Sequence, residues 1–329
     1  MKEHLIRLFV KCGGSLFFLH KNRCPRVFCF HGIDNIIDSE VEEESLPVEL
    51  FLQQIDFLRN NFEIISIQEF EHRYHTKSFT NHEAVITFDD GYESMLRVVD
   101  PILRNYNIPY TVFVSAHNIS TGQLFTTSVN RLVIRTDSIN RVVIPSLAID
   151  EPLISHDKRI EVSKRISKIF KAVDIDTTET IDKELCDNLP DGKLEELKQK
   201  YKSVIPMSWD QVRELESRGG VTIGSHCCRH ISCHDKQDIT IVEKELVESK
   251  RIIEKELGKE CKYFAYPNGS FTAESNDIVR RTYSMGFSIV AEERIDYQND
   301  LAAIPRLYVF GHDIETFKTF ITRYPFKRK

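Results

Sequence analysis

The chain has 329 residues, 41% of them hydrophobic and 29% charged, with 13 Gly and 11 Pro, a composition that excludes a disordered, collagen-like or fibrous protein. Its length allows one large α/β domain or two small ones and buries a substantial core without a disulfide framework. A net charge of −6 argues against nucleic acid as a partner, because no global basic field exists to hold a phosphate backbone.

The first 25 residues form an apolar run flanked by Lys2, Arg7, Lys11, Lys21 and Arg23. Lys11 interrupts the run and no small-residue cleavage site follows, so the segment reads as uncleaved. It is shorter than the roughly 20 apolar residues of a membrane span. It suits an amphipathic helix, either packed on the domain or making peripheral contact with a membrane. Eight cysteines without dense, regular spacing point to free thiols in a reducing compartment, so the expected location is cytoplasmic, with that peripheral contact open.

From Arg26 onward, short β-type runs alternate with helical stretches, the rhythm of helices covering a largely parallel sheet or barrel. The strands are read as VFCFH ending at His31, EIIS from Glu63, AVITF ending at Phe88 and YTVFVS from Tyr110. Later come VTIGS from Val221, YFAY from Tyr263, FSIV from Phe287 and LYVF from Leu307. Apolar spacing predicts helices over 48–61 and 243–257. The S-x-x-Q pattern at Ser208 to Gln211 predicts a helix starting at Trp209 and ending near Gly219-Gly220. Residues 117–206 break the rhythm with two charged helical runs, 158–173 and 180–201, and read as an inserted helical subdomain between the halves 26–116 and 207–329.

Two segments carry the chemistry. Thr87-Phe88-Asp89-Asp90-Gly91 places adjacent carboxylates directly after a buried strand. In α/β barrels the strand C-terminal ends gather the catalytic groups, although D-D-G is also an ordinary turn sequence. Ser225-His226-Cys227-Cys228-Arg229-His230 follows the strand VTIG. If that turn is helical, its histidines at i and i+4 share one face and reach one divalent ion. With Asp90 they make a two-histidine, one-carboxylate set with open positions for water and substrate.

TFDDG followed by H-x-x-x-H resembles the polysaccharide deacetylases, the carbohydrate esterase family with the NodB homology domain, over roughly 26–324. The resemblance implies an α/β fold, a distorted (β/α) barrel of the NodB type, and metal-dependent hydrolysis of the acetamide of N-acetylated sugars. It implies Asp89 as base and Asp90, His226 and His230 as ligands of one divalent ion, taken as Zn2+ with other divalent ions open. The family's R-x-P-Y motif corresponds to Ala265-Tyr266-Pro267-Asn268, so its base-orienting arginine is missing, and Asn268 stands where a backbone N–H faces the oxyanion. The late acid histidine has no good match, with His312 a weak candidate. Some members acting on exported poly-N-acetylglucosamine carry an early histidine in a segment similar to Phe28-Cys29-Phe30-His31-Gly32-Ile33, together with FAYP-type third motifs. That similarity makes His31 the preferred acid.

For the missing arginine, Arg306 in Ile304-Pro305-Arg306 is the expected replacement, because a guanidinium fork both holds a carboxylate ionised and aims it. A surface arginine without that duty is the competing reading. Two other functions stay open: a structural zinc module built from Cys227, Cys228, Cys233 and His234, and a sugar-binding pseudoenzyme. The expected substrate partner is an N-acetylated glycan or a lipid-linked sugar.

Overall fold

A computed structural model describes residues 19, 22–289, 293–309 and 313–324. The N-terminal amphipathic segment lies outside these residues except for Leu19 and 22–25, and His312 lies outside them too. No described helix is long and apolar enough to cross a membrane.

In chain order the strands are β1 (Arg26–Phe30), β2 (Ile33–Asp34), β3 (Leu46–Pro47), β4 (Glu63–Ile64), β5 (Glu83–Phe88) and β6 (Tyr110–Val114). They continue with β7 (Arg141–Ile144), β8 (Ile149–Pro152), β9 (Val221–Ser225), β10 (Tyr263–Ala265), β11 (Met285–Ser288), β12 (Ile304–Pro305) and β13 (Leu307–Tyr308). Nine of them form one sheet in the order β12-β11-β10-β9-β6-β5-β1-β13, with β4 beside β5, and every pairing in it is parallel. The two ends of this order, β12 and β13, are separated in sequence by Arg306 alone. The sheet therefore curls into a nearly closed α/β barrel, and Arg306 sits at its seam.

Side chains alternate across a strand, and here the alternation builds two apolar layers. Phe28, Phe30, Ile86, Phe88, Val112 and Val114 belong to the outer cluster with the covering helices. Val27, Val85, Phe113, Tyr263, Phe287 and Ile304 form the cluster that fills the barrel. The helix Val48–Asn61 has the bounds its spacing predicts and buries Leu50, Phe51, Ile55 and Leu58 on the outer cluster. The helix Trp209–Ser217 opens on the predicted capping box, in which Ser208 and Gln211 satisfy each other's backbone N–H.

Packing inside the barrel is tight enough to dictate one glycine. A Cβ on Gly224 would stand 2.5 Å from Cδ1 of Phe113, closer than carbon atoms approach without displacement. Gly224→Ala is expected to destabilise the protein by about 1–3 kcal/mol through overpacking, read from the midpoint of urea unfolding. Unchanged stability would mean that the Phe113 ring moves freely.

Residues 117–206 differ in detail from the sequence reading. The charged runs form the helices His156–Phe170, Ile175–Cys186 and Lys193–Lys200. The expected single run over 180–201 is thus broken, with Gly192 in the left-handed region at the break. The antiparallel hairpin β7–β8 is too short and too weakly alternating to read as strands. An apolar cluster unites residues between Leu124 and Val204, and Val41 and Tyr92 from the barrel side join it.

Candidate active site

The strand alternation that fills the barrel also sets the site. Thr87 and Asp89 share the inward face with Val85, and Cys29 and His31 share it with Val27. β1 and β5 pair in parallel with Phe30 opposite Phe88, so His31 and Asp89 leave adjacent strand ends side by side. The Asp89 N–H donates to the Phe30 carbonyl at 3.0 Å, carrying the ladder one residue further.

Asp90 and Gly91 then take positive φ, 71° and 72°. A Cβ on Gly91 would meet Cγ1 of Val114 at 2.8 Å. The D-D-G turn conformation and the carboxylate display are therefore one feature. The Met207 N–H donates to the Gly91 carbonyl at 2.9 Å and fixes the turn from the far side.

The 226–230 segment is not a helical turn. It has no helical assignment, and Cys227 and His230 lie at φ 63° and 54°. The histidines converge because the chain reverses through these two left-handed residues, not because i and i+4 share a helix face. The reversal is held at several points. The His226 N–H donates to the Val114 carbonyl (2.9 Å), and the Ala116 and His117 N–H groups donate to the Cys227 (3.1 Å) and Cys228 (2.9 Å) carbonyls. The Arg229 backbone N–H and Nε both reach Glu245, at 2.8 and 2.7 Å.

Asp90, His226 and His230 offer ligand atoms that all lie within 4.8 Å of one another. Nε2 of His230 is 3.4 Å and Nε2 of His226 is 3.7 Å from Oδ1 of Asp90. Nδ1 of His226 lies 2.7 Å from the Ala265 carbonyl oxygen, which only accepts, so this nitrogen carries the proton and Nε2 faces Asp90 with a lone pair. Burial lowers both imidazoles, His226 to about 3 and His230 to about 4, and so keeps them neutral, as metal ligands must be. Oδ1 of Asp90 is buried and has no hydrogen-bond partner, and burial raises this carboxyl above the usual range. An orphaned carboxylate oxygen between two neutral imidazole nitrogens fits a divalent cation.

Asp89 is held differently. Arg306 grips it in a two-pronged pair, Nη1 to Oδ1 and Nη2 to Oδ2, both at 2.7 Å, and Nη1 also reaches Thr87 Oγ1 at 3.1 Å. Both partners are buried, and the guanidinium lies over the Phe113 ring at 5.3 Å. Burial acts to raise the Asp89 carboxyl, but the Arg306 charge outweighs it and holds the group well below the usual carboxylate range. The structure thus places Arg306 where the missing motif arginine would be needed, while Ala265 serves through its carbonyl.

His31 is 9% exposed, its Nδ1 has no partner, and its ring meets Tyr308 edge-on at 5.2 Å. Asn268, at φ 56° in a short turn, bonds Ser232 Oγ through its side chain at 2.8 Å. His31, Asp89, Asp90, His226, His230 and Asn268 all line one cavity of about 730 Å³, a size suited to a small-molecule ligand. Sequence reasoning missed Tyr92, which hydrogen-bonds Asp90, and Glu44, which lines the cavity and pairs with buried Arg131 at 3.0 Å. Tyr92 follows the D-D-G turn directly and was findable there, but Glu44 stands in an acidic run with no local mark. Cys227, Cys228 and Cys233 with His234 do not form a metal-holding group among the described residues, and the seven described cysteines are free thiols.

The fold is similar to that of three solved structures. Against IcaB from Ammonifex degensii the TM-score is 0.57 at 16% identity, covering 92% of this chain and 97% of that one. Against the Streptococcus pyogenes deacetylase PplD in complex with acetate it is 0.56 at 15% identity, covering 88% and 93%. Against a de-N-acetylase from Aggregatibacter actinomycetemcomitans it is 0.55 at 16% identity, covering 90% and 98%. No curated protein sequence matches the chain. The polysaccharide deacetylase family model matches residues 76–143 and 156–287, a stretch that holds Asp89, Asp90, His226, His230 and Asn268 but neither His31 nor Arg306. With well over half of its length matched, the chain belongs to the polysaccharide deacetylase family.

Proposed function

We propose that this deacetylase hydrolyses the acetamide of an N-acetylated sugar, in a glycan or a lipid-linked precursor, with one divalent ion held by Asp90, His226 and His230. The observation that carries the reading is the buried, unpartnered Oδ1 of Asp90 beside two imidazole nitrogens. When bound, a divalent ion such as Zn2+ supplies Lewis acidity toward the acetamide carbonyl and water.

The chain's own groups divide the remaining work. Asp89, kept ionised and aimed by the Arg306 fork, takes the proton of the attacking water. His31, at the neighbouring strand end beside it, delivers a proton to the departing nitrogen, so that acetate and a free amino sugar leave. The Asn268 backbone N–H is assigned to the developing oxyanion. The pseudoenzyme reading rested on the arginine missing at Ala265, and the Arg306 contact removes that ground. Cytoplasmic location, motivated by cysteines without the spacing of a disulfide framework, and peripheral membrane contact, motivated by the basic and apolar pattern of residues 1–25, remain part of the proposal.

The test is acetate release from a panel of N-acetylated glycans and lipid-linked sugars by metal-free and Zn2+-loaded protein. Release that depends on added metal is expected, and a loaded protein that deacetylates no member of the panel would overturn the reading. His226→Ala should abolish binding of the catalytic ion, whereas Cys227→Ser with Cys228→Ser should retain it. The reverse pattern, measured by metal content, would reinstate the structural zinc module.

A further inference from the structure

A second group of ligand atoms lies beside the first. Sγ of Cys29, an imidazole nitrogen of His31 and a carboxylate oxygen of Asp89 are all within 4.8 Å of one another. Their meeting follows from the strand pattern: Cys29 and His31 stand two residues apart on one face, and Cys29 pairs with Thr87, two residues before Asp89. Cys29 is fully buried, with Sγ 3.3 Å from Oδ2 of Asp89. His31 is more than nine-tenths buried, and its Nδ1 has no hydrogen-bond partner, an expensive state for a polar atom unless something occupies the position.

The chemistry of the group differs from that of the first. Arg306 bonds both oxygens of Asp89 and compensates its charge, so Asp89 offers only a residual lone pair. The strong donors are the sulfur and the imidazole, a pair that favours Zn2+ or Cd2+ over Mg2+ or Mn2+. His31 and Asp89 line the cavity, which gives an ion an entry path and leaves room for water or substrate as further ligands.

We propose that Cys29, His31 and Asp89 form a second, inhibitory site for a soft divalent ion, separate from Asp90, His226 and His230. Binding exchanges the thiol proton for the metal: the S–H bond breaks, a sulfur–metal bond forms, one proton leaves to solvent and no group is oxidised. Occupancy withdraws His31 and Asp89 from proton transfer, so excess zinc stops turnover. That inhibitory consequence rests on the function proposed above, whereas the binding itself does not.

The experiment titrates the full-length, metal-free chain with Cd2+, following heat by calorimetry and thiolate-to-cadmium charge-transfer absorption. Wild type should take two equivalents, only one of them with the thiolate absorption. Cys29→Ser should lose that equivalent and its absorption and keep the other. His226→Ala should do the opposite, and Cys227→Ser with Cys228→Ser should leave both. His31→Asn, which keeps Cys29 and so guards against a folding defect in the serine variant, should weaken the thiolate-bearing equivalent by about tenfold or more. A single equivalent in wild type, or undiminished thiolate absorption in Cys29→Ser, would overturn the site. In turnover, the ratio of rates with excess zinc and with stoichiometric zinc should fall far below one in wild type and stay near one in Cys29→Ser. Absence of turnover in every sample would strike the proposed function and leave the titration result standing.

Discussion

Asp89→Asn is expected to lower kcat by about two to four orders of magnitude, the usual contribution of a general base, while the ion at Asp90, His226 and His230 stays bound. Asparagine has nearly the shape of aspartate but cannot take the water proton at neutral pH. The Arg306 fork complicates a simple reading. Asparagine accepts one of its two bonds and leaves the guanidinium buried without a counter-charge, so the variant should also lose stability. Metal content, thermal unfolding and kcat measured on the same preparation separate the two effects. A folded, metal-replete Asp89→Asn protein with wild-type turnover would remove Asp89 from the base role.

Arg306→Ala should cost about 3–5 kcal/mol of stability, because deleting one member of a fully buried pair strands the other. Burial, the largest influence on Asp89, would then be opposed only by the smaller pull of His226 and His31, and burial raises a carboxyl. The direction with pH follows from linkage. In wild type the folded-state carboxyl lies below its unfolded value, so its stabilising contribution is complete above about pH 4 and is lost as pH falls toward the folded value. In Arg306→Ala the folded-state carboxyl lies above its unfolded value, so the ionised group destabilises the protein at neutral pH and protonation relieves it. Urea unfolding should therefore show a difference between the two proteins that is large near pH 7 and shrinks in acid. The acid limb of the pH–rate profile should move upward in the same variant. Arg306→Lys keeps a cation and loses the fork, and should fall between wild type and the alanine variant in both stability and turnover. If Arg306→Ala left both the pH–rate profile and the unfolding midpoint unchanged, Arg306 would be a bystander.

Much of the barrel is legible in the chain because its signals are local. Most barrel strands are short apolar runs, although β12 (Ile304–Pro305) is too short to read as one. The helix over 48–61 repeats its apolar residues at helical spacing, and the capping box at Ser208 and Gln211 spans four residues. Asp89, Asp90, His226 and His230 are legible for the same reason, since each pair stands in one short segment after a strand. Tertiary structure decided how those segments come together. His226 and His230 meet through two left-handed residues, Cys227 and His230, and not through helix spacing. No periodicity reveals such a reversal, because it is fixed by bonds to the strand end at Val114, to Ala116 and His117, and to Glu245.

Arg306 shows the limit most clearly. The resemblance carried by the sequence implied that Asp89 needs a cation to orient it and that Ala265 stands where the family has that arginine. The sequence offered Arg306 only as an arginine entering a late strand. The contact spans 217 residues and exists because the parallel sheet curls until its two ends, β12 and β13, nearly meet with Arg306 between them. Cys29 is decided by register instead: in the sequence it is one apolar residue in a strand, and the parallel pairing of β1 with β5, Cys29 opposite Thr87, sets its sulfur against Asp89. Local backbone preference and side-chain alternation determine which residues can face inward. Only the curvature and register of the nearly closed sheet decide which of those residues touch.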